Sequence, residues 1–200
     1  MDYSQFLIMR GEISLLLVFL LIFLFDTFGG KKSLKGLSIT ACVLFALHTV
    51  WNIIPVDSAT AFGGMYQTSP IASMVKTVLN IGTLIVLLQS ISWSDTPDVK
   101  LRRGEFYELL LVTLFGMYLM VSSGHFLLFF IGLETASLPM AALIAINKKD
   151  TESYEAGAKY LFTAVFSSAV FLLGLSFLYG VSGSLYFGCL LYTSPSPRDR

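Results

Sequence analysis

Four ionisable side chains lie well inside long apolar runs, Glu134, Lys159, Lys76 and His48, and Asp26 lies nearer the end of one. In hydrocarbon each costs a few kcal/mol or more unless paired or hydrated, so each is a functional candidate. Glu134 is the sharpest. It lies nine residues after His125 and thirteen before Asn147, which on a helix puts it about 14 Å from one end and about 20 Å from the other. A solitary carboxyl near a bilayer midplane favours its protonated form unless a cation or water lowers that preference. Such a group is poised to take up and release a proton. The bland alternative is a permanently protonated Glu134 that hydrogen-bonds across a helix interface. Pro139 supports the first choice, because it removes a backbone donor and clashes with the carbonyl of Thr135, next to Glu134. The expected result is a kink of the sort membranes tolerate beside a hydrated or protein-packed cavity; a plain packing kink is the competing account.

The other candidates have simpler explanations beside them. Lys159 follows Glu155 by four residues, the favourable order for a helical ion pair. Its height differs from that of Glu134 by about 12 Å, so water or a third polar residue would have to join the two. Lys76 lies six residues into its run, where a long stem can snorkel toward water. His48 fits a hydrogen-bonded residue near a helix end, and Asp26 a boundary residue before Lys31 and Lys32. Glu105 and Glu108 open a helix, where negative charge complements the dipole; a place in a proton path is their second reading.

The elements that must position these groups follow from composition. Of 200 residues, 55% are hydrophobic and 13% charged, with thirteen basic and thirteen acidic residues. The mean hydropathy is +0.75. This is the make-up of a membrane protein, and the balanced charge offers nothing to nucleic acid. Two cysteines, Cys42 and Cys189, are too few for a thiolate-ligated iron–sulfur cluster, and two histidines cannot build a pair of bis-histidine haem sites. Nucleotide-binding glycine loops and the serine-hydrolase elbow are missing as well. Six runs are long enough to span a bilayer, at about 6–28, 34–54, 70–93, 106–122, 125–147 and 154–179. The fold class is therefore all-α and polytopic, with residues 1–188 forming one membrane domain. Asp2 and Glu12 precede the apolar part of the first run and Lys31-Lys32 follow it, so it reads as a retained helix and not a signal peptide.

Loop charge gives an orientation. Eight Lys or Arg residues (31, 32, 35, 100, 102, 103, 148, 149) fall on one side, and before the terminal tail only Arg10 lies on the other. The positive-inside rule then puts the N-terminus outside and residues 30–35, 94–104 and 148–153 in the cytoplasm. Cys189 to Arg200 has no helical period, carries two prolines, and resembles the translation of a sequencing-library adaptor. It is expected to be an artefactual or disordered tail, with the natural chain continuing past Gly188.

Three strings taken together point to a family. Arg103-Gly-Glu-Phe-Tyr-Glu, Phe130-Ile-Gly-Leu-Glu-Thr-Ala-Ser-Leu-Pro139, and Glu155-Ala-Gly-Ala-Lys-Tyr160 with Ser167-Ser168 resemble the antiporter-like membrane subunits of respiratory complex I. The resemblance implies the first six of about fourteen transmembrane helices in a bacterial inner membrane. It implies that Glu134 corresponds to the helix-5 glutamate that modulates proton affinity, and Lys159 to the helix-6 lysine of the central hydrophilic axis. The expected partners are lipid and the other membrane subunits of the complex. Quinone, NADH, FMN and iron–sulfur centres are expected in those other subunits, none in this chain, which alone is expected to be inactive. Two rivals stand beside this reading: a subunit of a multisubunit sodium/proton antiporter or membrane-bound hydrogenase, and a non-transporting scaffold.

Overall fold

In lipid a backbone must satisfy its own polar groups, and apolar runs of this length do so by becoming helices. The computed structural model describes residues 4–28, 34–93, 102–147 and 150–189. Their helices are α1 (Ser4–Ile8), α2 (Arg10–Phe28), α3 (Leu34–Trp51), α4 (Pro70–Trp93), α5 (Arg103–Val121), α6 (Phe126–Ile144) and α7 (Thr151–Ser182). Among the described residues five are long and apolar enough to cross a membrane, namely α2, α4, α5, α6 and α7, while α3 supplies a shorter apolar stretch, Gly36–Trp51. Leucines, isoleucines and phenylalanines such as Leu47, Ile71, Phe162, Phe166 and Phe177 face outward, as a lipid-facing surface requires. Lys31, Lys32, Lys100, Lys148, Lys149 and residues 190–200 lie outside the described residues.

Element ends have local causes. The first run breaks at Met9, whose N–H bonds the carbonyl of Phe6 at 3.1 Å in a tight turn. Helix α3 stops at Trp51, short of the expected Ile54, because Ile54 precedes Pro55 and that position disfavours helical backbone. Pro70 occupies the first position of α4, where its missing N–H costs nothing. His125 caps α6 by accepting the Leu127 N–H at 3.0 Å, and Asp150 caps α7 by accepting that of Glu152 at 3.1 Å. Gly183, left-handed at φ 67°, closes α7.

Helix α5 is the hub. Its buried Tyr107, Leu111, Leu114 and Tyr118 pack with Leu15, Val18 and Ile22 of α2, Leu37, Ala41 and Phe45 of α3, and Leu87 of α4. On its other side α5 meets α6 almost backbone to backbone. A Cβ at Gly132 would stand 2.8 Å from the Gly116 carbonyl oxygen, so both positions require glycine. Helix α7 leans on α6, burying only Gly157, Ser168 and Leu175.

One element is not helical. Strands β1 (Ala59–Ala61) and β2 (Tyr66–Thr68) form an antiparallel hairpin, with Ala59 opposite Thr68 and Ala61 opposite Tyr66. Its connection runs through Phe62, Gly63 and Gly64, all at positive φ. The hairpin caps the end of the bundle where α5 turns into α6: the Gln67 N–H bonds the Ser122 carbonyl and the Gly124 N–H bonds that of Met65, each at 2.8 Å.

Candidate functional site

Glu134 projects from the middle of α6 toward α7, half-buried. Its carboxylate accepts a short hydrogen bond from the hydroxyl of Ser168, which lies in the middle of α7. Ser168 also walls a groove of about 410 Å³ between the two helices, lined further by Leu133, Ser137, Tyr160, Thr163 and Ser167. The carboxyl therefore meets one hydroxyl of a row on α7, whose neighbours Thr163 and Ser167 donate to backbone carbonyls of their own helix. That contact explains how the group is tolerated at this depth. Pro139 lies inside α6, which continues through it. Around it, the Thr135 hydroxyl donates back to the Ile131 carbonyl at 2.7 Å and the Ser137 hydroxyl to the Glu134 carbonyl at 3.4 Å.

Lys159 is not part of this contact. Its ammonium pairs with Glu155 at 2.5 Å, and both side chains are more than half exposed. Nine residues of α7 separate Lys159 from Ser168, about 14 Å of helix rise. The groove residue Tyr160 follows Lys159 directly.

At the other end of α5 three carboxylates gather. Asp26, in the last turn of α2, packs so closely on Gly104 that a Cβ there would overlap its carboxylate. This sets an anion against a helix N-terminus, where the exposed N–H groups favour it. Glu105, in the first turn of α5, is exposed and lies 4.0 Å from Arg102. Glu105 and Glu108 flank an open groove of about 350 Å³ with Phe19, Leu109 and Val112.

Lys76 departs from the sequence expectation. Its ammonium does not snorkel: the residue is 8% exposed and is held 2.5 Å from Glu12, which is 1% exposed. The Tyr66 hydroxyl donates to the second Glu12 oxygen at 2.9 Å, and the Ser122 hydroxyl reaches the first at 3.3 Å. The ammonium also lies over the rings of Tyr66 and Tyr118, 5.6 and 5.1 Å from their centroids. A paired charge with donors on its remaining lone pairs and aromatic faces above it is stable away from water, where an unpaired one would reach outward. Burial, and then the Glu12 charge, push the Tyr66 phenol above its usual pKa, so it stays a donor. A second chain adjoins the first. His48, 4% exposed, lies 3.0 Å from the Ser14 hydroxyl through Nδ1 and 3.3 Å from the Tyr118 hydroxyl through Nε2. The Tyr118 hydroxyl donates to Asn80 at 2.7 Å. Sequence reading used Glu12 only to argue about the first run and passed over Tyr66 and Asn80. The available signal was a carboxylate at the edge of one apolar run and a lysine inside another.

These features define a class: a helical membrane bundle with a carboxyl–hydroxyl contact between two spanning helices. A family model described as NADH:quinone oxidoreductase/Mrp antiporter, transmembrane, matches residues 123–196, the segment that carries α6 and α7. The chain is of the antiporter-like membrane-subunit class. The particular protein it resembles is NADH-quinone oxidoreductase subunit N. That of Phocaeicola vulgatus is 48% identical over 187 residues, 94% of this chain, and that of Azobacteroides pseudotrichonymphae is 41% identical over 189 residues, also 94%. This chain spans 39% of the length of each of these relatives. Among solved structures, a chain of respiratory complex I from Thermus thermophilus superposes with a TM-score of 0.70 at 24% identity, over 90% of this chain and 38% of that one. A chain of an archaeal membrane-bound sulfane sulfur reductase gives 0.68 at 20% identity, over 94% and 40%. Both show that the fold is that of respiratory membrane subunits.

Proposed function

We propose that this chain is part of a proton-translocating membrane subunit of an NADH–quinone oxidoreductase, and that Glu134 takes up and releases protons there. One observation carries the reading: a carboxyl in the middle of a spanning helix, bonded to Ser168 on the wall of a mostly apolar groove that Thr163 and Ser167 also line. A purely structural carboxyl needs a donor. It does not need a groove large enough for water beside it. Protons would reach Glu134 along the hydroxyls of α7, while quinone reduction and the redox centres reside in other subunits. Lys159 belongs to the path in this reading, with Glu105 as a further member, while Lys76, paired with Glu12 at the hairpin end, belongs to a separate polar group. The fragment alone would be inactive, since it spans well under half of its relatives. The subunit would sit in the bacterial inner membrane with its N-terminus outside, an orientation supported by the eight-to-one distribution of basic residues.

The test uses inverted membrane vesicles from cells with and without the complete parent gene, energised by NADH. The proposal expects NADH-driven proton uptake to fall without the gene and to be restored by it, with or without sodium. A gene product that moves protons only against a sodium gradient, and is indifferent to NADH, would establish the sodium/proton antiporter instead.

A further inference from the structure

The buried charges at the hairpin end of the bundle are not explained by Glu134 or its groove. Glu12 and Lys76 form one polar group with Tyr66 and Ser122. Ser14, His48, Tyr118 and Asn80 form another. Asn52 belongs to the second, since its amide lies 3.2 Å from His48 Nδ1 and donates to the Ser14 hydroxyl at 3.3 Å. A cavity of about 20 Å³ beside the first group is walled by Arg10, Glu12, Tyr66, Ser73 and Lys76, and Asn52 brings the second group to it. One water needs roughly 10–15 Å³ and two to four polar partners. This cavity supplies both. It also supplies a demand, because Arg10 Nε is buried with no hydrogen-bond partner. Backbone geometry keeps the space open: a Cβ at Gly11 would stand 3.0 Å from Asn52 Oδ1.

We propose that this cavity binds one ordered water that joins the two groups into a single proton-sharing network, a second titratable site distinct from Glu134. The joining is chemically balanced. Transfer of a proton from Lys76 Nζ to Glu12 Oε1, 2.5 Å away, breaks one N–H bond, forms one O–H bond and converts an ion pair to a neutral pair. Net charge is unchanged, so the low-dielectric surroundings do not forbid it. The bound water can donate to Glu12 and to the Asn52 amide oxygen while accepting from the Arg10 Nε–H, which links the two groups by hydrogen bonds, and the proton that moves is the one shared by Lys76 and Glu12. The groups that set the pH response are Arg10 and Glu12 of α2, His48 of α3, Tyr66 of the hairpin, Lys76 of α4 and Tyr118 of α5.

The water itself is tested without reference to transport, by high-resolution cryo-electron microscopy of the complete parent protein in its membrane complex. The expected map shows one ordered water within hydrogen-bonding distance of Glu12 and Asn52, lost in Gly11→Ala. The functional part rests on the proton-translocating reading and uses the pH profile of NADH-driven proton uptake. Glu12→Gln and Lys76→Met alone should each lower the amount of assembled complex severalfold by leaving a buried charge unpaired. The double variant should restore assembly yet shift or flatten the pH profile relative to wild type. A map with no water there, or a double variant that keeps the wild-type profile, overturns the proposal and leaves Glu12–Lys76 as a structural clasp. Glu134→Gln in the same assay reports separately on the reading itself: unaltered coupling there would defeat that reading, and the water would stand or fall by the map alone.

Discussion

At the scale of single residues, the cost of an ionisable group in lipid turns each one into a question about its partners. Glu134 has one donor, Ser168. Removing that donor by Ser168→Ala is expected to lower coupled proton uptake less than loss of the carboxyl does, and Ser168→Thr, which keeps the hydroxyl, should retain most of it. The check is uptake normalised to assembled complex. Lys159 has a different standing, since Glu155 pairs with it in the open and exposed i,i+4 pairs contribute little. Lys159→Ala should therefore disturb coupling less than Glu134→Gln in the same vesicles. An equal loss would place the lysine in the relay despite its distance from Ser168.

At the scale of elements, the close crossing of α5 and α6 is what sets Glu134 at a fixed height and angle. Gly132→Ala puts a methyl 2.8 Å from both the Gly116 carbonyl oxygen and the Met120 backbone nitrogen, atoms that cannot move aside as a flexible side chain would. Overpacking of this kind costs about 1–3 kcal/mol. A lowered thermal midpoint of the purified parent protein is the expected result, with a wild-type midpoint showing that the helices can separate freely. The element scale also shows what was legible in the sequence. Helical runs were readable because spanning a bilayer demands length and apolarity together, and the start of α4 is fixed by Pro70. The hairpin was not readable: its strands are three residues each, built from Ala, Thr, Tyr and Gln, and they exist because Ser122 and Gly124 offer them backbone partners. The site shows the same divide. Glu134 stood out by depth, which is a property of one helix. The Lys76–Glu12 pair joins residues 64 apart, and no local pattern announces a contact set by how α2 and α4 pack on α5.

At the scale of the whole molecule, α2 to α5 make a core with its own buried polar clusters, α6 packs tightly on α5, and α7 extends beyond it with most of its surface exposed. In the proposed topology eight basic residues share one side, and a membrane reads that asymmetry as orientation. A single cysteine at position 150 of a cysteine-free parent protein should be labelled by an impermeant thiol reagent only after the cells are opened. Labelling of intact cells would reverse the topology.

The central claim is that the carboxyl of Glu134 exchanges protons during turnover, and one comparison tests it most directly. Glu134→Gln keeps the size and the hydrogen bond with Ser168 while removing the titratable charge; Glu134→Asp keeps the charge on a side chain one methylene shorter. The measurement is quinone-coupled proton uptake in membrane vesicles, normalised to assembled complex. The account predicts normal assembly for both, a clear fall in uptake for Glu134→Gln, and a milder fall for Glu134→Asp. Wild-type uptake in Glu134→Gln would contradict it and make Glu134 a protonated packing residue between α6 and α7.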